Sequence, residues 1–333
     1  MSGRMASIWP GVLVGALLLH AVALAVTVGA APIGPRESLA ALFGSGTPET
    51  VAIVRDVRLP RALAALTVGA GLGASGAALQ GFTRNDLAAP GLLGFSACAA
   101  FGAVLALYFG LERLLMPGAL AGAAIGAAIT ALLARRQVGA GGLILAGVGV
   151  GALATALTGL AMNLAPNPWA LSELTYWLMG TLENADMPDV ALALPLTLGG
   201  LALLAWLGRD LRALALGEDV ARSLGVSLPR LQAALVAGTA LCIGAGVALA
   251  GAIGFVGLFV PHIVRRLPAT LGGTTDPARL VLRSALGGAL LLSVTDLLVR
   301  LTSGPGTPLY LGIVTAVIGV PFFLYLATRG IGT

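Results

Sequence analysis

Two histidines occur in the chain, His20 and His262, and one serine, Ser75, sits in the G-x-S-G stretch Gly73 to Gly76. A serine and a histidine can serve as nucleophile and general base, the pairing an intramembrane serine protease would need. That chemistry requires both groups in one plane of the bilayer. Ser75 falls in the middle of an apolar run, whereas His262 stands three residues before Arg265, at the end of another. With 48 glycines in the chain, a chance G-x-S-G is expected, so no catalytic residue is assigned. As a metal ligand His262 lacks a second histidine, a cysteine or paired carboxylates at helical spacing, so no metal site is expected. Proton carriage stays open for it. The plainer alternative is that Pro261 breaks the helix, frees backbone carbonyls, and leaves His262 to hydrogen-bond near an interface. His20 lies inside the first apolar segment and is expected to be packed or lipid-facing.

The elements that must hold these residues are set by composition. Of 333 residues 58% are hydrophobic and 10% charged, and mean hydropathy is +0.98, which describes an all-α polytopic membrane protein and excludes a soluble domain. Abundant glycine and alanine suit helices that pack closely through small residues, because lipid supplies no hydrophobic drive between helices. Cys98 and Cys242 both lie in apolar runs, offer no disulfide framework, and are expected to be small packing residues. All 19 basic residues are arginine, with no basic cluster interleaved with aromatics, so nucleic acid is not an expected partner. No Walker A loop is present to cradle phosphates, so the chain is expected to bind no cofactor and hydrolyse nothing.

Because a charge at mid-membrane costs about 2.5–3.5 kcal/mol, charges mark the loops. Charge-free stretches run over 5–35, 62–83, 87–111, 114–134, 137–172, 190–208, 231–264 and 301–328, and a further span is expected near 281–300. Dividing 231–264 near Gly251 gives about ten spans in a single domain, 1–333. The apolar core of the N-terminal segment exceeds the roughly 7–15 residues of a signal h-region, so it is expected to be an uncleaved span. With both termini cytoplasmic, 13 arginines fall inside and six outside, in keeping with the positive-inside rule. Gly69 to Ala77 (GAGLGASGA) and Gly244 to Ala252 (GAGVALAGA) share a pattern in the second and seventh spans, five apart and so opposite in direction, which is either an inverted-topology repeat or a chance match in a chain this rich in glycine and alanine.

Between the sixth and seventh spans a cytoplasmic loop, about 209–230, carries a short amphipathic segment. Gly217 can start a helix, Glu218 and Asp219 suit its positive end, Val220, Ala221 and Leu224 give it an apolar face, and Gly225 stops it. Lacking an aromatic or lysine-rich face, it is a poor membrane binder and is expected to meet a partner. A secondary transporter, the runner-up reading, needs a mid-membrane ionisable residue. The charge-free spans offer none, and Asp296 is expected to pair with Arg300 one turn away.

Together RLPRALAALTVGAGLGASGAALQGFTRNDLAAPGLLG, YWLMGTL, ALGEDVARSLGV, GAIGFVGLFVPHIVRR and GIVTAVIGVPFFLYL resemble the permease subunits of bacterial ATP-binding-cassette importers for iron-siderophores, haem and cobalamin, over about 55–328. The resemblance implies a homodimer of ten-span subunits in the inner membrane, with the path at the dimer axis. It implies two ATPase subunits, holding ATP and Mg, on the cytoplasmic side and a periplasmic binding protein above. By the same resemblance Gly217, Glu218, Asp219, Ala221, Leu224 and Gly225 form the helix that couples to the ATPase. Arg58, Arg61 and Arg300 are implied to dock acidic side chains of the binding protein. Asn85, Asp86 and Leu87 are implied to narrow the cytoplasmic end of the path, with Asp86 standing where the family usually has proline. Gly139 to Gly142 lacks the small hydroxyl residues often facing that loop, and GTPLYLG replaces the usual ELPVG. His262 is implied to belong to the scaffold, and a ferric chelate is the first expectation for the cargo.

Overall fold

A computed structural model describes residues 2–29, 31–136, 138–303 and 309–329, with side chains from residue 15 to 324 inside those ranges. The side chains of Arg4 and Arg329, and Gly306 to Pro308 of the GTPLYLG stretch, lie outside the described residues. Among the described residues every regular element is helical.

The chain enters as α1 (Ser2–Thr27), followed by two short helices, α2 (Pro35–Leu42) and α3 (Pro48–Ala52). Each short helix carries proline at its first position, where the missing N–H costs nothing. A π-helical turn, Ile53–Arg58, joins α3 to α4 (Leu59–Thr83), so the helix runs unbroken over Pro48–Thr83. α5 (Phe95–Tyr108), α6 (Leu115–Ala134) and α7 (Ala140–Asn163) follow. The expected single span over 137–172 is corrected: it breaks after Asn163 and restarts as α8 (Pro168–Leu178), because Asn167 caps that helix by accepting the Ala170 N–H at 2.9 Å. Then come α9 (Met187–Trp206), α10 (Gly208–Ala215), α11 (Glu218–Ser223), α12 (Leu228–Ala250), α13 (Val256–Arg266), α14 (Pro277–Thr302) and α15 (Leu311–Arg329).

Among the described residues six helices are long and apolar enough to cross a membrane: Pro48–Thr83, Glu112–Ala134, Ala140–Asn163, Met187–Trp206, Leu228–Ala250 and Pro277–Thr302. The apolar parts Gly15–Thr27, Phe95–Tyr108 and Leu311–Leu324 are shorter. The division near Gly251 falls where expected, with α12 ending at Ala250, but the second half is no full span. α13 has 11 residues, about 17 Å at 1.5 Å per residue, and α5 has 14, about 21 Å, against a hydrocarbon core of about 30 Å. Both start inside the bundle. Gly94, just before α5, lies against the backbone of Gly147 and Gly151 well within α7, and Gly257 at the start of α13 lies against Gly76 of α4 and Pro90. Irregular backbone at this depth is tolerated where protein buries it.

The two half-helices show the repeat in packing. In each half a long buried helix, α4 or α12, is followed by a break, a half-helix and a full span: α5 and α6, or α13 and α14. α4 packs along α14, α12 and α13, and α12 packs along α6, α4 and α5. The matched glycines behave alike: Gly69 abuts the backbone of Gly288 on α14, and Gly244 abuts Ala123 on α6. Gly71 meets Cys242 across the α4–α12 contact, and Gly246 meets Val68. α4 ends beside the α10–α11 loop from which α12 begins, so the copies run in opposite directions. The end holding that loop, expected to be cytoplasmic, is called the inner end below.

Candidate functional site at the two ends of the bundle

At the inner end three segments that are distant in sequence meet. α11 starts after Gly217, whose φ of +111° favours glycine, and stops at Gly225, with φ +84°. Ala221 is fully buried against the bundle, whereas Leu224 is 64% exposed and Val220 is also exposed. The expected apolar face is thus split: Ala221 seats the helix, and Val220 and Leu224 point away from the subunit. Asp219 is fully open. Glu218 lies between Arg84 at 3.8 Å and Arg222 at 3.7 Å.

Arg84 is the first residue of the loop after α4, in the left-handed region at φ +51°. Next to it the Asn85 side-chain oxygen accepts the Leu87 N–H at 2.9 Å, a local turn that leaves Leu87 exposed. Asp86 faces Arg265 of α13 at 3.3 Å. Asp86 therefore ties this loop to the half-helix carrying His262. Gly139 donates its N–H to the Gln232 side chain on α12 at 3.0 Å and lies near Glu218. An amide side chain thus holds this loop, which has no hydroxyl residue of its own over Gly139 to Gly142, and nothing in the local sequence around Gln232 signals that contact.

A second connection leaves no local signal in the sequence. Arg212 on α10 makes a bidentate pair with Asp276, at 2.6 and 3.0 Å, while Asp276 caps α14 through the Ala278 N–H at 3.3 Å. The Arg212 guanidinium, with the Ala278 N–H, holds the Asp276 carboxyl below its usual range. Gly208 packs directly on Ala278, so α10 and α11 are fixed to the start of α14.

At the opposite end Arg58, Arg61 and Arg300 come together as expected, but not as three open cations. The placement of Arg58 and Arg300 on an exposed surface is corrected. Arg58 is only 4% exposed and donates to the carbonyls of Val26, Thr27 and Ala31 and to the Ser38 hydroxyl, at 2.8 to 3.2 Å. It satisfies the carbonyls left over at the end of α1. The Arg300 side chain is only 5% exposed, reaches the Ala25 carbonyl at 2.8 Å and pairs with Asp296 at 2.6 Å, the expected partner one turn away. Asp296 has a second partner: Arg61 meets it at 2.9 Å and faces the more exposed Glu183 at 3.8 Å. The first pairing follows from helical spacing. The second joins α4 to α14 across the sequence and leaves no local signal.

Ser75 and His262 do not form a dyad. Ser75 is fully buried within α4, and Gly76 beside it is glycine because a Cβ there would overlap the Gly257 carbonyl. His262 packs edge-on against Phe322 of α15, ring centres 5.7 Å apart. Its Nε2 is buried without a hydrogen-bond partner among the described residues, so the expected interfacial hydrogen bond is replaced by aromatic packing.

Comparison with known proteins gives a consistent result. The chain matches the FecCD transport family over residues 17–329. It is 38% identical over 320 residues to the vitamin B12 import system permease protein BtuC of Escherichia coli O1:K1 / APEC, covering 94% of this chain and 93% of that one. The protein of the same name from Escherichia coli strain K12 / DH10B gives the same figures. A solved structure described as an inward-facing conformation of a transporter of the metal-chelate ABC type superposes with a TM-score of 0.82 at 28% identity, covering 95% of this chain and 97% of that one.

Proposed function

The chain belongs to the FecCD transport family and is the permease subunit of an ATP-driven importer of bulky chelates; we propose that it works as a homodimer in the inner membrane, both termini cytoplasmic. It is a transport subunit, and ATP hydrolysis resides in a separate ATPase. In this reading two ATPase subunits, holding ATP and Mg, dock on the exposed Val220 and Leu224 of α11, and the chain itself binds no cofactor. The observation that carries it is the convergence on Glu218 of α11, the Arg84–Leu87 loop and Gly139. A push on α11 from below reaches the loop that narrows the path without crossing a flexible linker. Asn85, Asp86 and Leu87 form the inner constriction, and Asp86 fastens it to α13.

A periplasmic binding protein docks at the outer end. There three arginines face two carboxylates, and Arg61, shared between Asp296 and Glu183, is the cation an incoming carboxylate reaches by displacing Glu183. The cargo to test first is cobalamin, since the relatives that match over 94% of the chain are vitamin B12 import permeases; ferric siderophore and haem are the competing chelates. Co-purification with the ATPase, followed by uptake of radiolabelled cobalamin, haem and ferric siderophore into proteoliposomes with ATP inside, tests the assignment. ATP-dependent, vanadate-sensitive uptake of cobalamin is the expected result. Uptake of ferric chelate alone would overturn the cargo, and uptake driven by a proton gradient without ATPase would overturn the coupling.

A further inference from the structure

Away from the coupling loop and the arginine cluster, α1, α13 and α14 enclose a groove of about 490 Å³. Its walls are Leu17 of α1, Phe259 and Ile263 of α13, and Leu286, Leu290 and Val294 of α14. Arg283 is its one charged side chain among the described residues, at the inner end beside Leu271 and Gly272. The Nη1 group of Arg283 donates to the Gly272 and Gly273 carbonyls at 2.6 and 2.8 Å, which fixes the guanidinium at the mouth. Among the described residues its Nε and Nη2 donors meet no acceptor. Arg266, in the last turn of α13, and Arg279, one turn before Arg283, are both exposed at the same end. Of the carboxylates there, Asp276 is taken by Arg212 and Arg279, and Asp86 by Arg265.

We propose that this groove holds an anionic phospholipid of the inner-end leaflet, one acyl chain lying along α14 between α1 and α13 and the phosphate on Arg283. Dimensions and charge select this occupant. From Arg283 to Val294 the groove follows α14 for about 17 Å, close to half of the roughly 30 Å hydrocarbon thickness, so it begins at one membrane surface and stops near the middle. A partner transmembrane helix would use the full thickness, whereas an acyl chain uses one leaflet. The polar end is cationic, and basic pockets between helices at the cytoplasmic surface suit anionic headgroups.

The test uses the purified full-length chain, delipidated in detergent and titrated with phosphatidylglycerol or with phosphatidylcholine of the same acyl chains, read by native mass spectrometry. Retention of one phosphatidylglycerol per subunit is expected, with a preference of about five-fold or more, the scale one arginine near an anionic headgroup supplies. Arg283→Gln should abolish the preference. Because Arg283 also ties the 272–273 turn, Leu290→Trp, which fills the groove and leaves that tie intact, is the second variant and should lose the bound lipid. Equal retention of the two lipids by the native chain, or undiminished phosphatidylglycerol on Leu290→Trp, would overturn the proposal.

Discussion

Arg58 and Arg61 are three residues apart and alike in sequence, yet they do different work. Arg58 spends its guanidinium on carbonyls at the end of α1 and on Ser38, so Arg58→Ala leaves buried acceptors unpaired and should destabilise the chain by about 1–3 kcal/mol or more. A lowered thermal midpoint of the purified subunit is the measurement. Arg61→Gln leaves Asp296 neutralised by Arg300 and should chiefly slow association with the binding protein and flatten its salt dependence, since charge complementarity acts on encounter rate. Stopped-flow association across salt concentrations separates the two, and unchanged kinetics for Arg61→Gln would remove the docking role. His262→Phe keeps the ring against Phe322 and removes a nitrogen that has no hydrogen-bond partner among the described residues, so stability should change by less than about 1.5 kcal/mol and transport should persist. Abolished transport with intact folding would return His262 to the role of proton carrier.

Among the elements, α11 was legible as a helix almost residue by residue, because its signals are local: glycine at each end, acidic residues in the first turn, an apolar face. What holds it was not. Arg212 and Asp276 are 64 residues apart, and Gly139 and Gln232 are 93 apart, distances over which hydrophobic periodicity carries no information. Replacing Glu218 by Arg and Leu224 by Asp together removes the Arg84 contact and the exposed apolar contact. Membrane yield should stay normal while ATPase association is lost; unchanged transport would sink the assignment. The Arg212–Asp276 pair makes a separate prediction in pH. Asp276 has its folded-state pKa depressed, so its contribution is fully present above the ordinary carboxylate range and is lost as pH falls through the lowered value. Near neutral pH the clamp should be insensitive to pH, and Asp276→Asn should there show the weakened coupling that the native protein shows only in strong acid. ATPase stimulation by the binding protein, measured for the native protein and for Asp276→Asn, reads this directly.

On the scale of the whole molecule, the chain is two inverted halves pressed together along α4 and α12, and composition alone explains why they can approach so closely. The alternation of apolar runs and arginines revealed the long spans, because insertion energetics writes them into every turn. It could not reveal the half-helices α5 and α13: their irregular leads, residues 87–94 and 251–255, are nearly as apolar as the helices they interrupt, and burial by other helices replaces the water that would otherwise demand polar side chains. The matched GAG motifs did carry the repeat, and they also say where it is intolerant. At Gly76 a new methyl would run into the Gly257 carbonyl, backbone against backbone, where neither α4 nor α13 can yield by rotating a side chain. At Gly246 the same methyl meets only Val68 Cγ1, at 3.5 Å, an ordinary van der Waals contact. Gly76→Ala should therefore cost at least about 1–3 kcal/mol through overpacking and part α4 from α13, whereas Gly246→Ala should be close to neutral. Thermal unfolding of the two variants in detergent, with a cross-link between cysteines placed on α4 and α13 as a gauge of their separation, distinguishes a crossing fixed by backbone contact from one that is merely rich in glycine: equal stability of the two variants would refute the first.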